Sequence, residues 1–98
     1  MPFFVEIRLN PTYHSVPEAT RNQHISFLDA NIEMVLAGGG LFDDHGVEVH
    51  GGFYILDVED REQAETIVAQ DPYIKIGVFE IVQVTRWRKA YFNYKRLI

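Results

Sequence analysis

The sequence has no cysteine, which excludes disulfides, thiolate nucleophiles and Cys-ligated zinc. It has no apolar run near the roughly 18 residues that a bilayer-spanning helix requires. Its opening residues, Met1-Pro2-Phe3-Phe4-Val5-Glu6, lack the basic segment of a secretory leader and already alternate like a strand. These absences lead us to expect a cytoplasmic protein with no membrane partner. Repeats, linkers and low-complexity stretches are also missing. The only serines, Ser15 and Ser26, sit in no nucleophile-elbow pattern. The histidines His14, His24, His45 and His50 show no His-x-x-x-His spacing, so no metal is expected. A phosphate loop precedes a helix, whereas Gly38-Gly39-Gly40 follows a helical pattern. Nothing else points to a cofactor.

What is present suits one small domain. The 98 residues are 47% hydrophobic and include 13% aromatics, enough for a single core without a metal or disulfide staple. The net charge of −5 argues against general nucleic-acid binding. Charge is unevenly placed. Residues 1–85 hold all 14 acids and only Arg8, Arg21, Arg61 and Lys75 as bases, whereas residues 86–98 hold Arg86, Arg88, Lys89, Lys95 and Arg96 and no acid. Residues 89–98 therefore read as a basic aromatic extension of a domain spanning 1–88.

Hydrophobic periodicity gives the order βαββαβ. Phe3, Val5, Ile7 and Leu9 alternate as a strand, and residues 10–16 form a loop carrying Tyr13 and His14. From Pro17 to about Ala37, Ile25, Leu28, Ile32, Val35 and Leu36 recur at helical spacing, with Gly38-Gly39-Gly40 as the expected stop. Leu41-Phe42 opens a strand, Asp43-Asp44-His45-Gly46 suits a hairpin turn, and Val47 to Val58 reads as a strand apolar on both faces. Gly51-Gly52 within it predicts a bulge or a close backbone approach. Asp60 can cap a helix from Arg61 to about Gln70, residues 73–77 read as a turn, and Val78 to Trp87 as the last strand. Trp87, Tyr91, Tyr94 and Ile98 fit one helical stripe. This order predicts an α+β two-layer sandwich, whose second apolar sheet face another subunit would cover.

Arg21 and His24 fall within the apolar stripe of the first helix, near its start. On periodicity alone, a hydrogen-bonded core histidine and a structural ion pair are favoured over catalysis. Asp71-Pro72 by itself is ordinary turn chemistry. Topology raises the pair: one helix start can meet another helix's end, and a carboxylate on one imidazole nitrogen fixes the tautomer and raises the basicity of the other.

The elements Phe3-Phe4-Val5, Arg21-x-x-His24, Gly39-Gly40-Leu41, Gly51-Gly52, Ala69-Gln70-Asp71-Pro72-Tyr73, Gly77-Val78-Phe79-Glu80 and Trp87 resemble the YCII-related (YciI-like) family over residues 3–88. The resemblance implies a ferredoxin-like fold forming a dimeric α+β barrel, similar to muconolactone isomerase, and a His–Asp active site at the positions of His24 and Asp71. One activity associated with the family is dehydrochlorination of a chlorinated hydroxyhydroquinone. The basic aromatic tail and the His14 loop depart from the family pattern.

The combined expectation is a cofactor-independent lyase or isomerase acting on a small hydroxylated ring compound. His24 would be the general base, Asp71 its orienting partner and Arg21 the group that stabilises a developing oxyanion. Tyr73, Tyr13, His14 and His50 would line the pocket. A non-catalytic ligand-binding module and a dimeric partner protein acting through its tail are the alternatives.

Overall fold

In the computed structural model, which describes residues 1–98, alternation fixes which face of the sheet goes inside. Strand β1 (Phe3–Leu9) buries Phe3, Val5 and Ile7 and turns Phe4, Glu6 and Arg8 the other way. It lies between β3 (Val49–Leu56) and β4 (Phe79–Arg86), and β2 (Val35–Phe42) pairs with the far side of β3, so the antiparallel order is β2-β3-β1-β4. Helices α1 (Glu18–Ala30), α2 (Arg61–Gln70) and α3 (Pro72–Ile76) complete the chain order. This is the ferredoxin-like arrangement. No helix is long and apolar enough to cross a membrane.

The core joins Phe3, Val5, Tyr54, Leu56, Val68 and Val78; fully burying each large apolar side chain contributes about 1.5–3 kcal/mol. Helix α2 supplies Ala64 and Val68 and begins with a capping box. Asp60 Oδ1 accepts from the Gln63 N–H at 2.9 Å, and Gln63 Oε1 accepts from the Asp60 N–H at 3.4 Å. Helix α1 behaves differently. Thr20 is its one buried residue, and the helix packs against α3 rather than flat on the sheet. The sheet beneath its outer edge is left uncovered over β2 and β3, and this gap is the cleft described below.

Four expectations are corrected. The first helix ends at Ala30, not near Ala37. Asn31 turns its side-chain amide back to the Phe27 carbonyl at 2.9 Å, a 3-10 turn follows over Ile32–Met34, and Val35 pairs with Leu56. Helical spacing continues through Val35 and Leu36, but the unpaired edge of β3 recruits them, because a sheet edge offers a full ladder of hydrogen bonds. Gly38-Gly39-Gly40 thus lies inside β2 and caps no helix. Residues 73–77 are not a plain turn. Asp71 accepts from the Tyr73 N–H, Pro72 fills the first helical position, and Gly77 ends the short α3 at φ 89°. The tail is not a helix but a hairpin, β5 (Tyr91–Phe92) with β6 (Lys95–Arg96). Asn93 and Tyr94 both have positive φ, 54° and 60°, as a tight two-residue hairpin turn demands.

The glycine pair in β3 marks a close approach. A Cβ on Gly51 would collide with the Ile7 carbonyl oxygen of the neighbouring strand. A register shift accompanies it: Leu41 faces Gly51 and Phe42 faces Val49, so His50 beside the pair is an extra residue in β3. Other shifts lie at Val35/Ala37 in β2 and between β1 and β4 beside Glu6/Ile7.

Candidate active site

Asp71 is completely buried and closes α2 while opening α3. A buried carboxylate is tolerated only when donors surround it, and three do. Its Oδ1 accepts from the Tyr73 backbone N–H at 2.9 Å and meets His24 Nδ1 at 2.8 Å, and its Oδ2 accepts from the Tyr54 hydroxyl at 3.0 Å. The Asp-Pro turn chemistry and the His–Asp contact are two uses of one side chain.

An Asp71 carboxylate so surrounded only accepts, so Nδ1 of His24 carries the proton, and a neutral ring holds its lone pair on Nε2. His24 retains 13% side-chain exposure and lines the cleft. The ring lies flat on Tyr73, with centroids 3.9 Å apart and planes 10° from parallel. The carboxylate and the stack together fix its orientation. Tyr73 in turn packs against Phe79 at 4.4 Å, which ties the site to β4.

The electrostatics follow from this burial. Desolvation first, then the Asp71 charge and the hydrogen bond to it, push the Tyr54 hydroxyl far above the ordinary tyrosine value of 10.0. Tyr54 is therefore a fixed donor. Burial also raises Tyr73, the Arg21 charge opposes that rise and the Asp71 charge adds to it. Arg21 lines the same cleft and pairs with no carboxylate, so the structural ion pair that periodicity favoured is not formed.

The cleft holds about 1010 Å³. Its floor is the helix-side surface of β2 and β3, where Gly38, Gly40 and Gly52 put no side chain over the sheet. The 10–16 loop brings Tyr13 and His14 to one wall, and β3 brings His50 to another. Tyr13, His14, Arg21, His24, His50 and Tyr73 thus share one cleft, with Asp71 buried behind it. Sequence reasoning missed Tyr54. The available signal was its place on the inward face two residues from Gly52, since a buried tyrosine hydroxyl needs a partner. No group of three or more His, Asp or Glu is arranged to hold a metal ion.

The model of the YCII-related domain matches residues 1–88. Among solved structures, the chain is similar to 5-chloro-2-hydroxyhydroquinone dehydrochlorinase from Burkholderia phenoliruptrix in complex with 2,5-dihydroxybenzoquinone. That likeness has a TM-score of 0.77 and 24% identity, and it covers 90% of this chain and 94% of the other; at that identity it speaks to the fold. No curated protein matches the chain.

Proposed function

The chain belongs to the YCII-related family, and from that premise we propose that it is a cofactor-independent lyase or isomerase using His24 as general base on a small hydroxylated aromatic or quinone-type compound, chlorinated forms included. The observation that carries this reading is the 2.8 Å His24–Asp71 contact at the wall of an open cleft. A buried carboxylate holds one ring nitrogen and leaves the other to substrate.

For loss of HCl from a chlorinated hydroquinol, a substrate O–H breaks and its proton passes to His24 Nε2. That proton is passed on to the ring carbon bearing chlorine as the oxygen's electron pair forms a carbonyl, which makes this carbon tetrahedral. His24 then takes a second O–H proton; that oxygen forms a second carbonyl, the ring double bond shifts toward the tetrahedral carbon, and the C–Cl pair leaves as chloride. No external oxidant or reductant is needed. Asp71 stabilises the imidazolium formed, and Arg21 faces the oxygen that carries negative charge on the way. A positioned general base contributes ~10²–10⁴-fold, which suits a ring already activated toward elimination or tautomerisation. Tyr73, Tyr13, His14 and His50 would bind the ring and its hydroxyls. The dehydrochlorinase resemblance in fold and its quinone ligand support this substrate class. The outer sheet face, where Phe4 stacks on Phe53 at 5.5 Å, supports a homodimer as the working form.

The test is turnover of 5-chloro-2-hydroxyhydroquinone and its unchlorinated and methylated analogues, followed by quinone absorbance, for the wild type and His24→Ala. Loss of turnover in a folded His24→Ala variant supports the reading. Tight binding with no turnover by the wild type would instead make the chain a ligand-binding module.

A further inference from the structure

Residues 89–98 lie beyond the family match and take no part in the cleft. Trp87 prolongs the sheet by donating to the Pro2 carbonyl, and the chain then folds back on itself, closed by the Leu97 N–H on the Ala90 carbonyl at 2.7 Å. Asn93 accepts the left-handed turn conformation readily. Tyr94 does so at a cost of about 1–2 kcal/mol, and it is fully exposed. Tyr91, Leu97 and Ile98 are exposed as well, and Arg88, Lys89, Lys95 and Arg96 form no ion pair. Four cations without acids and four bare apolar side chains on one short arm make a surface that its own domain leaves uncovered.

We propose that this arm docks on the β2–β3 tip of a second copy of the chain and roofs that copy's cleft. The tip is complementary in both respects: Asp43, Asp44 and Glu48 supply negative charge, and Phe42 and Val47 supply exposed apolar surface. Asp43 stays ionised because the Glu48 and Val47 backbone N–H groups hold its carboxyl below the ordinary 3.8. The acids beside α2 are the competing surface, but the cation Arg61 lies among them, 3.7 Å from Glu65.

An arm cannot reach the tip of its own chain. In the register, Arg86 at the end of β4 stands beside Phe3 and, across β1, Leu56, whereas the tip lies beyond Val49 at the opposite end of the sheet and its opposite edge. That diagonal is about 25 Å along the strands and about 14 Å across them, and the folded-back arm does not span it. A two-fold pair of copies satisfies both tips at once.

The contact also accounts for the size of the cleft. Its 1010 Å³ matches the upper end of the roughly 300–1,000 Å³ typical of drug-sized ligands, far more than one substituted ring occupies. Phe42, Val47 and Glu48 stand at its mouth, so an arm seated on them encloses the ring and excludes water.

The inference rests on the homodimer proposed above, and its test requires no activity. Since the chain has no cysteine, a Tyr94→Cys chain is mixed with a Val47→Cys chain and treated with a short bismaleimide. A mixed cross-linked product is expected. Its yield should fall about tenfold when Lys95→Glu and Arg96→Glu are added to the arm, and recover when Asp44→Lys and Glu48→Lys are added to the tip. The proposal is overturned if Tyr94→Cys couples as well to Thr66→Cys on α2, if no mixed product forms, or if the yield ignores both charge reversals. Sedimentation separates the two claims: a dimer without the mixed product refutes the arm contact alone, whereas a monomer refutes the dimer as well.

Discussion

The Tyr54 hydroxyl donates to Asp71 Oδ2 at 3.0 Å, on the side of the carboxylate opposite His24. One buried acid thus joins a core tyrosine of β3 to an imidazole of α1 that faces the cleft. The fold's interior, more than its surface, holds the candidate base in place.

Tyr54→Phe tests that joint through alkaline stability. The folded hydroxyl titrates far above the ordinary 10.0 at which it titrates unfolded. A group with a raised folded pKa contributes stability that is fully present below the unfolded value and is lost as pH rises past it. Denaturant unfolding of the wild type should therefore weaken above pH 10.0, by up to about 1.4 kcal/mol per pH unit from this group. In Tyr54→Phe that part of the slope should vanish, while stability at neutral pH falls by about 1–3 kcal/mol because Oδ2 loses its donor. An unchanged alkaline slope in the variant would show that Tyr54 is not the group responsible.

Asp71→Asn should divide folding from chemistry. The amide NH2 can face the Tyr54 oxygen, which rotates its proton away and accepts, so the amide oxygen still meets His24 and the Tyr73 N–H. The charge that stabilises an imidazolium is gone, and kcat should fall roughly 10²-fold or more with KM little changed. Asp71→Ala leaves a cavity and several buried donors unpaired, and should unfold at markedly lower denaturant than Asp71→Asn. Equal turnover in Asp71→Asn and the wild type would remove Asp71 from the catalytic couple.

Two glycines on adjacent strands should respond differently to a methyl group. In Gly51→Ala the Cβ meets the Ile7 carbonyl, and overpacking of this kind costs about 1–3 kcal/mol. In Gly39→Ala the Cβ has nothing within 4 Å, and the change should fall within about 0.5 kcal/mol of zero. Thermal melts of the two variants check both.

The parts of the fold that local chemistry dictates were legible in the sequence. The alternation in β1, the Asp60 cap and the helical stripe of α2 all required only neighbours within a few residues. The exit from α1 was not legible, because Val35 and Leu36 satisfy the helical spacing and are drawn away by β3, some twenty residues later. The tail misled for a related reason. The spacing of Trp87, Tyr91, Tyr94 and Ile98 fits a helix, yet Asn93-Tyr94 adopts a hairpin turn despite the poor fit of tyrosine there. At the site, His24 and Asp71 could be paired from topology and family resemblance. Tyr54 could not be told from other inward residues of its strand without the position of Asp71.

Arg21 offers the sharpest separation of binding from architecture. It faces the cleft, pairs with no carboxylate, and its charge reaches the Tyr73 hydroxyl. Arg21→Gln should therefore leave the melting temperature nearly unchanged, since no ion pair is broken. Binding of an anionic ring such as ionised 2,5-dihydroxybenzoquinone should weaken by about ten- to hundredfold, the worth of one charge-assisted hydrogen bond. Added salt should narrow the gap between wild type and variant, because the cleft is open and the lost interaction is partly screened. Calorimetric titration at two ionic strengths measures both effects. A variant that binds this anion as tightly as the wild type would show that the arginine does not face the charged oxygen, and the oxyanion role would pass to another group in the cleft.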